Sequence, residues 1–473
     1  MRQDELCLLP ATRLAALVQA RELSARDLLA AHLAQVERVN PRVNAIVTLT
    51  AERAAAEALA CDEAQARGAP LGPLHGLPMA HKDLLPTRGI RSTRGSPIFA
   101  NEIPQVDALV VERMRAAGGV TMGKTNTPEF GAGSHTFNTV FGTTLNPWDT
   151  RKTCGGSSGG AAVALATGMV AIADGSDLGG SLRNPGNFNS IVGFRPTLGR
   201  VPNWPEVRGW SGLSTNGPMA RNVDDVALLL SVLAGPDPRA PSARNEPGSL
   251  FHPLPERDFA GTRVAWSPDL GGLPVDPAVR KVLARALPFV AQLGARVDEA
   301  TPGFEGADEA FKALRAYAMT DLAPLLRTQR DRIKQTVTWN VEQGLALTAE
   351  DIGRAEAKRT ELYHRMRVFL EEHDFLLCPV NQVPPFDIGT EYPTEIDGTP
   401  MGTYIDWMKS CWYITITGHP AVSLPAGFTD DGLPVGLQIV GRYGDDLGVL
   451  QFARALERLL GVEGRAPPIA RAG

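Results

Sequence analysis

The sequence is short of several features that would place a protein quickly. Its five cysteines (Cys7, Cys61, Cys154, Cys378, Cys411) are scattered and odd in number, and no C-x-x-C occurs. A disulfide frame and a zinc site are both set aside, and a reducing compartment is expected. There is no run of lysines and arginines, and the net charge is −5. Nothing in the bulk field attracts nucleic acid or anionic lipid. The longest uncharged run of small apolar residues, Ala161–Ala173, is shorter than the ~20 residues that span a bilayer. The N-terminus carries acids and lacks the apolar stretch of a secretory signal. Repeats, low-complexity segments and flexible linkers are missing too. With 43% hydrophobic and 21% charged residues in a chain of 473, the expectation is a cytoplasmic globular enzyme without nucleic-acid or membrane partners.

What is present is an alternation of helical and strand-like segments. Residues 10–67 read as helices, with Ser24 and Asp27 as a capping signal. After Gly68 the texture changes. Short apolar runs around "LPMAHK", "VTMGKT", "VAIADGS", "TRVAWSP" and "DFLLCPV" read as strands, as do "HPAVSLPAG" and "LPVGLQIVG" near the C-terminus. Helical patterns separate them, among them 108–119, 159–169, most of 275–370 (with a capping signal at Thr348 and Asp351) and 446–460. The pattern predicts an α/β fold.

Two glycine–serine clusters stand out. "CGGSSGG" covers 154–160, and "GSDLGGSLRNPG" follows at 175–186. Three kinds of chemistry compete for such loops. A literal G-x-x-x-x-G-K-T runs from Gly118 to Thr125, but a helix precedes it and a strand fills it, the reverse of a phosphate-binding context. Gly156–Gly160 also fits G-x-S-x-G, with Ser158 as nucleophile of an α/β-hydrolase-type serine esterase. That reading needs an apolar strand before the serine and a downstream histidine. "WDTRKT" is a poor strand, and His252, His364, His373 and His419 lack supporting motifs. The third reading joins the clusters. Ser181 follows Ser157 by 24 positions (181 − 157), enough for one helix and one strand, which would return the chain to the same end of a sheet. Lys82, at the end of another strand, could serve as the base.

"GLPMAHKD", "GKTNTPEF", "NPWD", "CGGSSGG", "GSDLGGSLRNP", "GFRPTLGRVP", "ITGHPAVSLPAG" and "GLPVGLQIVG" occur in that order. Together they resemble the amidase signature family, over nearly the whole chain. The resemblance implies one large domain, 1–473, with a mixed twisted sheet covered by helices on both faces. Within it, 1–67 would be a helical N-terminal part, 68–235 the catalytic core and 305–411 a mainly helical substrate wall. It implies an amidohydrolase of linear amides that needs no cofactor and no metal, acting as monomer or homodimer. Ser181 resembles the nucleophile, Ser157 the proton relay preceded by a cis peptide bond, and Lys82 the base. The amides of Leu178, Gly179, Gly180 and Ser181 would form the oxyanion hole, and Gly131 and Ser158 would contact substrate. Asp177 and Arg183 would brace the loop. His81 should point away from Lys82, and Cys154 should be a small buried residue. Esters, anilides and carbamates share the tetrahedral state, so urethanase activity belongs to the same expectation. An alternative within the family is the glutaminase (A) subunit of a tRNA-dependent amidotransferase. The sequence departs from the family's usual text at Cys154, at Leu178 and in "NPGNFNS". Leu178 would turn an apolar surface to the substrate.

Overall fold

The computed structural model describes residues 2–462 and 464–471. Eleven strands form one sheet: β1 (Ile46–Leu49), β2 (Pro78–Lys82), β3 (Val120–Thr125), β4 (Ile172–Asp177), β5 (Val192–Arg195), β6 (Thr215–Ala220), β7 (Arg263–Trp266), β8 (Arg296–Glu299), β9 (Phe375–Pro379), β10 (Ala421–Phe428) and β11 (Pro434–Gly441). Their spatial order is β1-β3-β2-β4-β6-β5-β10-β11-β9-β7-β8. The sheet is mixed. β3, β2 and β4 are mutually parallel, β7 is parallel to β8 and to β9, and the other neighbours are antiparallel.

Alternation along the central strands builds two cores. Met79 and Ile172 pack with helices Ala11–Gln19, Leu109–Ala116, Val223–Leu233, Pro277–Gln292 and Asp446–Leu460. Ala80 and Ala173, one residue on, pack with the opposite layer, where helix Gly159–Ala166 is buried along its whole length. Only glycine, alanine, valine and leucine occur in that helix, so it lies close against the sheet. The result is a single domain with helices flanking a large sheet.

One sequence expectation needs correction. The helical reading of 10–67 is interrupted by β1. Asn44 adopts a left-handed conformation (φ 53°) that ends helix Ala25–Val43, and Ile46–Leu49 then pairs antiparallel with β3. Within 275–370, Arg296–Glu299 is an edge strand beside β7. Both capping signals form hydrogen bonds: Ser24 accepts from the Asp27 amide, and Thr348 with Asp351 makes a reciprocal box. Among the described residues no helix is long and apolar enough to cross a membrane, and no group of three or more His, Cys, Asp or Glu side chains could hold a metal ion.

Candidate active site

β2 and β4 are parallel neighbours, registered Met79 to Ile172 and Ala80 to Ala173. That register carries Lys82, the last residue of β2, level with the end of β4. Lys82 falls on the same face as Ala80, toward helix Gly159–Ala166, and Ser157 and Ser158 immediately precede that helix. The chain therefore descends through the helix and climbs β4, and both glycine–serine clusters meet Lys82 at one end of the sheet.

Lys82 is fully buried. Its Nζ donates to Ser157 Oγ at 2.7 Å, Ser158 Oγ at 2.9 Å and Ser176 Oγ at 3.0 Å. Burial pushes its pKa down to about 7, against the opposing pull of Asp177 and Asp174. Desolvation penalises the charged form and three neutral hydroxyls replace only part of the lost hydration. The amine is thus neutral in a large fraction of molecules near neutral pH, with a lone pair to take a proton.

The Gly156–Ser157 peptide bond is cis. Ser157 lines a cavity of about 130 Å³ together with Ser176, Leu178, Gly179 and Ser181. Ser158 does not. It was expected to touch substrate, yet it is fully buried behind Ser157. Its Oγ accepts from Lys82 and from the Ser176 amide at 3.3 Å, and it donates to the Ser176 carbonyl at 3.4 Å. Its capacity is filled, so it serves as a fixed acceptor for the lysine. The Ser158 amide also donates to the Ser181 carbonyl at 3.3 Å, joining the two clusters through their backbones.

The turn at 178–181 is braced from beneath. Asp177 binds Arg183 through both carboxylate oxygens at 3.0 Å and contacts Arg195 at 3.2 Å, all three fully buried. Burial works to raise the Asp177 pKa, and the two guanidiniums reverse this and hold it well below the usual carboxylate range. Arg183 also donates to the Cys411 carbonyl, Gln438 and Thr415, fastening the turn to the C-terminal half. Asp177 and Arg183 thus brace the loop from below.

The Gly180 amide donates to Asp177 Oδ1 at 2.8 Å. It is already engaged, unlike the oxyanion donor it was expected to be. Among the described residues the amides of Leu178, Gly179 and Ser181 have no acceptor. Gly180 has φ +116°, and a Cβ there would lie 2.5 Å from the Cys411 Cβ, so no other residue fits.

Gly131 lines the cavity, and a Cβ on it would stand 2.8 Å from Leu84 Cδ1 and 3.4 Å from Ser157 Oγ. The opposite wall brings Arg315, Met319 and Met408, all from the 305–411 stretch expected to form the substrate wall, though none of the three was named individually. Arg315 is buried, donates to Asn340 Oδ1 and Tyr404 Oη, and has no carboxylate partner among the described residues. Ser176 was also missed. Only the two-strand register shows that it reaches the lysine. Larger cavities of about 420 and 480 Å³ lie elsewhere and contain none of these serines.

The competing loop readings are answered by the same geometry. Lys124 of the G-K-T run is buried in β3 and binds the Leu85 carbonyl and Thr87, not an open loop. No histidine bonds to Ser158 among the described residues, so the elbow reading has no triad. His81 points to the other face and pairs with Asp174 at 2.5 Å. The Cys154 thiol is fully buried, and burial pushes its pKa up to about 12, so it is inert as a nucleophile.

Comparison with known proteins agrees with this architecture. The Amidase family model matches residues 27–450. An acylamidase of Rhodococcus erythropolis is 36% identical over 461 residues, covering 97% of this chain and 96% of its own. The A component of the glutamyl-tRNA(Gln) amidotransferase of Moorella thermoacetica is 36% identical over 490 residues, covering 98% and 99%. Among solved structures, a bacterial aryl acylamidase of the amidase signature family superposes with a TM-score of 0.90 at 27% identity, covering 97% of this chain and 99% of that one. A 6-aminohexanoate cyclic dimer hydrolase bound to its substrate gives 0.88 at 28%, covering 98% and 100%. With a family model spanning most of its length and full-length relatives above 30% identity, the chain belongs to the amidase signature family, hydrolases that act on amides.

Proposed function

We propose that this chain hydrolyses the C–N bond of small-molecule carboxylic amides through a serine acyl-enzyme. Ser181 is the nucleophile, Ser157 the relay and Lys82 the base. A serine hydroxyl is a poor nucleophile at neutral pH and needs a base within reach. Neutral Lys82 takes the Ser157 proton, Ser157 takes that of Ser181, and Ser181 Oγ bonds to the carbonyl carbon. The oxyanion is met by the amides of Leu178, Gly179 and Ser181. Lys82 then returns its proton through Ser157 to the leaving nitrogen, the C–N bond breaks and the amine departs. Water attacks the acyl-enzyme by the same relay, and the acid and Ser181 are restored. Esters, anilides and carbamates enter the same cycle, since each forms the same kind of tetrahedral adduct.

The observation that carries this reading is the 2.7 Å contact of a desolvated lysine with Ser157, in a cavity that also holds Ser181. Trapping tests it. With an anilide substrate and hydroxylamine present, the acyl group should partition between acid and hydroxamate while aniline release continues. Aniline release without any hydroxamate or acylated protein would remove the acyl-enzyme.

A second reading is favoured by the 36% identity to the A component of an amidotransferase: glutamine hydrolysis with ammonia passed to a partner. The two separate on the isolated chain. Good turnover of simple anilides without glutaminase activity supports the stand-alone amidase, and the converse supports the amidotransferase component.

A further inference from the structure

β2 ends in two polar side chains that leave the strand on opposite faces. Lys82 turns toward the serines. His81 turns the other way, onto the face where Met79 and Ile172 pack into an apolar core. There its Nδ1 meets the Asp174 carboxylate of the adjacent strand β4 at 2.5 Å, and both side chains are fully buried. The other carboxylate oxygen, Oδ1, accepts from the backbone amide of Lys82 at 2.9 Å. Asp174 thus holds the backbone of the lysine, yet it has no part in the lining of the catalytic cavity. Two such side chains are costly to bury among apolar neighbours.

The hydrogen bonds fix the charge of the pair. Thr121 Oγ1 accepts from Arg115 Nε at 3.4 Å, which leaves its own proton for His81 Nε2 at 3.3 Å. With Nε2 accepting, the single ring proton sits on Nδ1 and is given to Asp174. The imidazole is neutral in this arrangement, and the carboxylate accepts from two donors.

The other charges nearby are matched. Arg115 pairs with Asp107 at 2.6 Å, and Glu57, which accepts from the Thr121 amide, pairs with Arg53 at 2.9 Å. Lys124 of β3 interacts with Asp83 and, less strongly, with Asp174. Asp177 and Asp174 are the two anions that Lys82 feels, and Asp177 is held by Arg183 and Arg195. Asp174 has no guanidinium or ammonium bonded to it among the described residues, so its charge is the one left over.

We propose that Asp174 and His81 are positioning residues for Lys82. The carboxylate fixes the end of β2 and presents a standing negative charge from behind the strand, and His81 supplies its second donor. Burial alone would leave the amine too weakly basic to take a serine proton, and the anion behind it restores part of that basicity. The assignment rests on the reading of Lys82 as the base.

The lysine itself is the first readout, on the full chain. With lysine isotope-labelled at Cε, the NMR resonance of Lys82 is identified by its loss in Lys82→Met. Asp174→Asn keeps an acceptor for the Lys82 amide and removes the charge, so this resonance should titrate about one unit lower. The acid limb of kcat/KM should move down with it, and the plateau above should drop. His81→Asn keeps a donor toward Asp174 and removes the ring, and its titration should stay in place. The double variant His81→Asn/Asp174→Asn replaces both partners by amides that can bond to each other. It should match Asp174→Asn, and it serves should that single variant fail to fold. A resonance that stays in place in Asp174→Asn and in the double variant makes the pair structural and overturns the proposal. A shift of similar size in His81→Asn overturns it too, because the charge would then not be that of Asp174 alone. If the resonance moves while the rate profile does not, the pair stands and the reading of Lys82 as the base falls.

Discussion

Lys82 Nζ lies 2.7 Å from Ser157 Oγ, and both side chains are withdrawn from bulk water. Under the proposed mechanism, activity depends on a lysine that must lose its proton before it can work. With burial lowering its pKa to about 7, kcat/KM should fall on the acid side with a midpoint near 7. Lys82→Ala should cost about a thousandfold or more, with the fold retained by circular dichroism.

The same shift has a sign in stability. Unfolded, the lysine titrates near 10.5, and folded near 7. Between those values the unfolded chain binds more protons, so this group makes stability rise with pH across the window. Below about 7 both states are protonated, and the cost of burying the charge is fully present. Urea midpoints of Lys82→Met and the unaltered protein should diverge most in favour of the variant at the acid end. The gap should shrink toward pH 10.5.

Ser176 accepts one of the three hydrogen bonds from the ammonium. Removing it withdraws more support from the charged form, whose hydrogen bonds are the stronger, than from the neutral one. Ser176→Ala should therefore move the acid limb of the pH–rate profile to lower pH and reduce kcat/KM about tenfold. A limb that stays in place, or moves up, would show that this hydroxyl does not sense the lysine.

A fluorophosphonate separates the two candidate nucleophiles. Intact mass should show one adduct, and peptide mapping should place it on Ser181. Ser181→Ala should take up none. Ser158→Ala should still be labelled, more slowly, since its hydroxyl holds Lys82 in place without facing the cavity.

Asp177 is the sole carboxylate, among the described residues, bound to the buried Arg183 and Arg195. Asp177→Ala leaves two guanidiniums without their partner and should lower stability by about 3–5 kcal/mol. Urea unfolding measures it, and a loss below about 1 kcal/mol would mean that water or rearranged carbonyls compensate.

Much of this was legible in the sequence, for physical reasons. β2, β3, β4, β9, β10 and β11 are short apolar runs between glycines and prolines, and periodicity finds such strands. β5 ("VGFR") and β6 ("TNGPMA") were not read, because their glycine, proline and asparagine content resembles turns. They are strands because both neighbours in the sheet supply hydrogen bonds. At the site, the spacing of Lys82, Ser157 and Ser181 implied one sheet end because a helix and a strand separate the serines. Ser176 and Arg315 carried no local signal. Each acquires its place only from packing: one from the β2–β4 register, the other from a helix that arrives much later in the chain. The engagement of the Gly180 amide by Asp177 was equally invisible, since it depends on which way one carboxylate turns.

The opposing walls of the cavity come from distant stretches of chain. Lys82, Ser157, Ser176 and Ser181 lie within one hundred-residue block (82–181), whereas Arg315, Met319 and Met408 belong to the later helical region. Under the proposed mechanism, reactivity and selectivity are inherited separately. Mutations in the later block can change which molecules are admitted while the earlier block keeps its proton relay intact, and a new clientele can be acquired without rebuilding the means of cleavage.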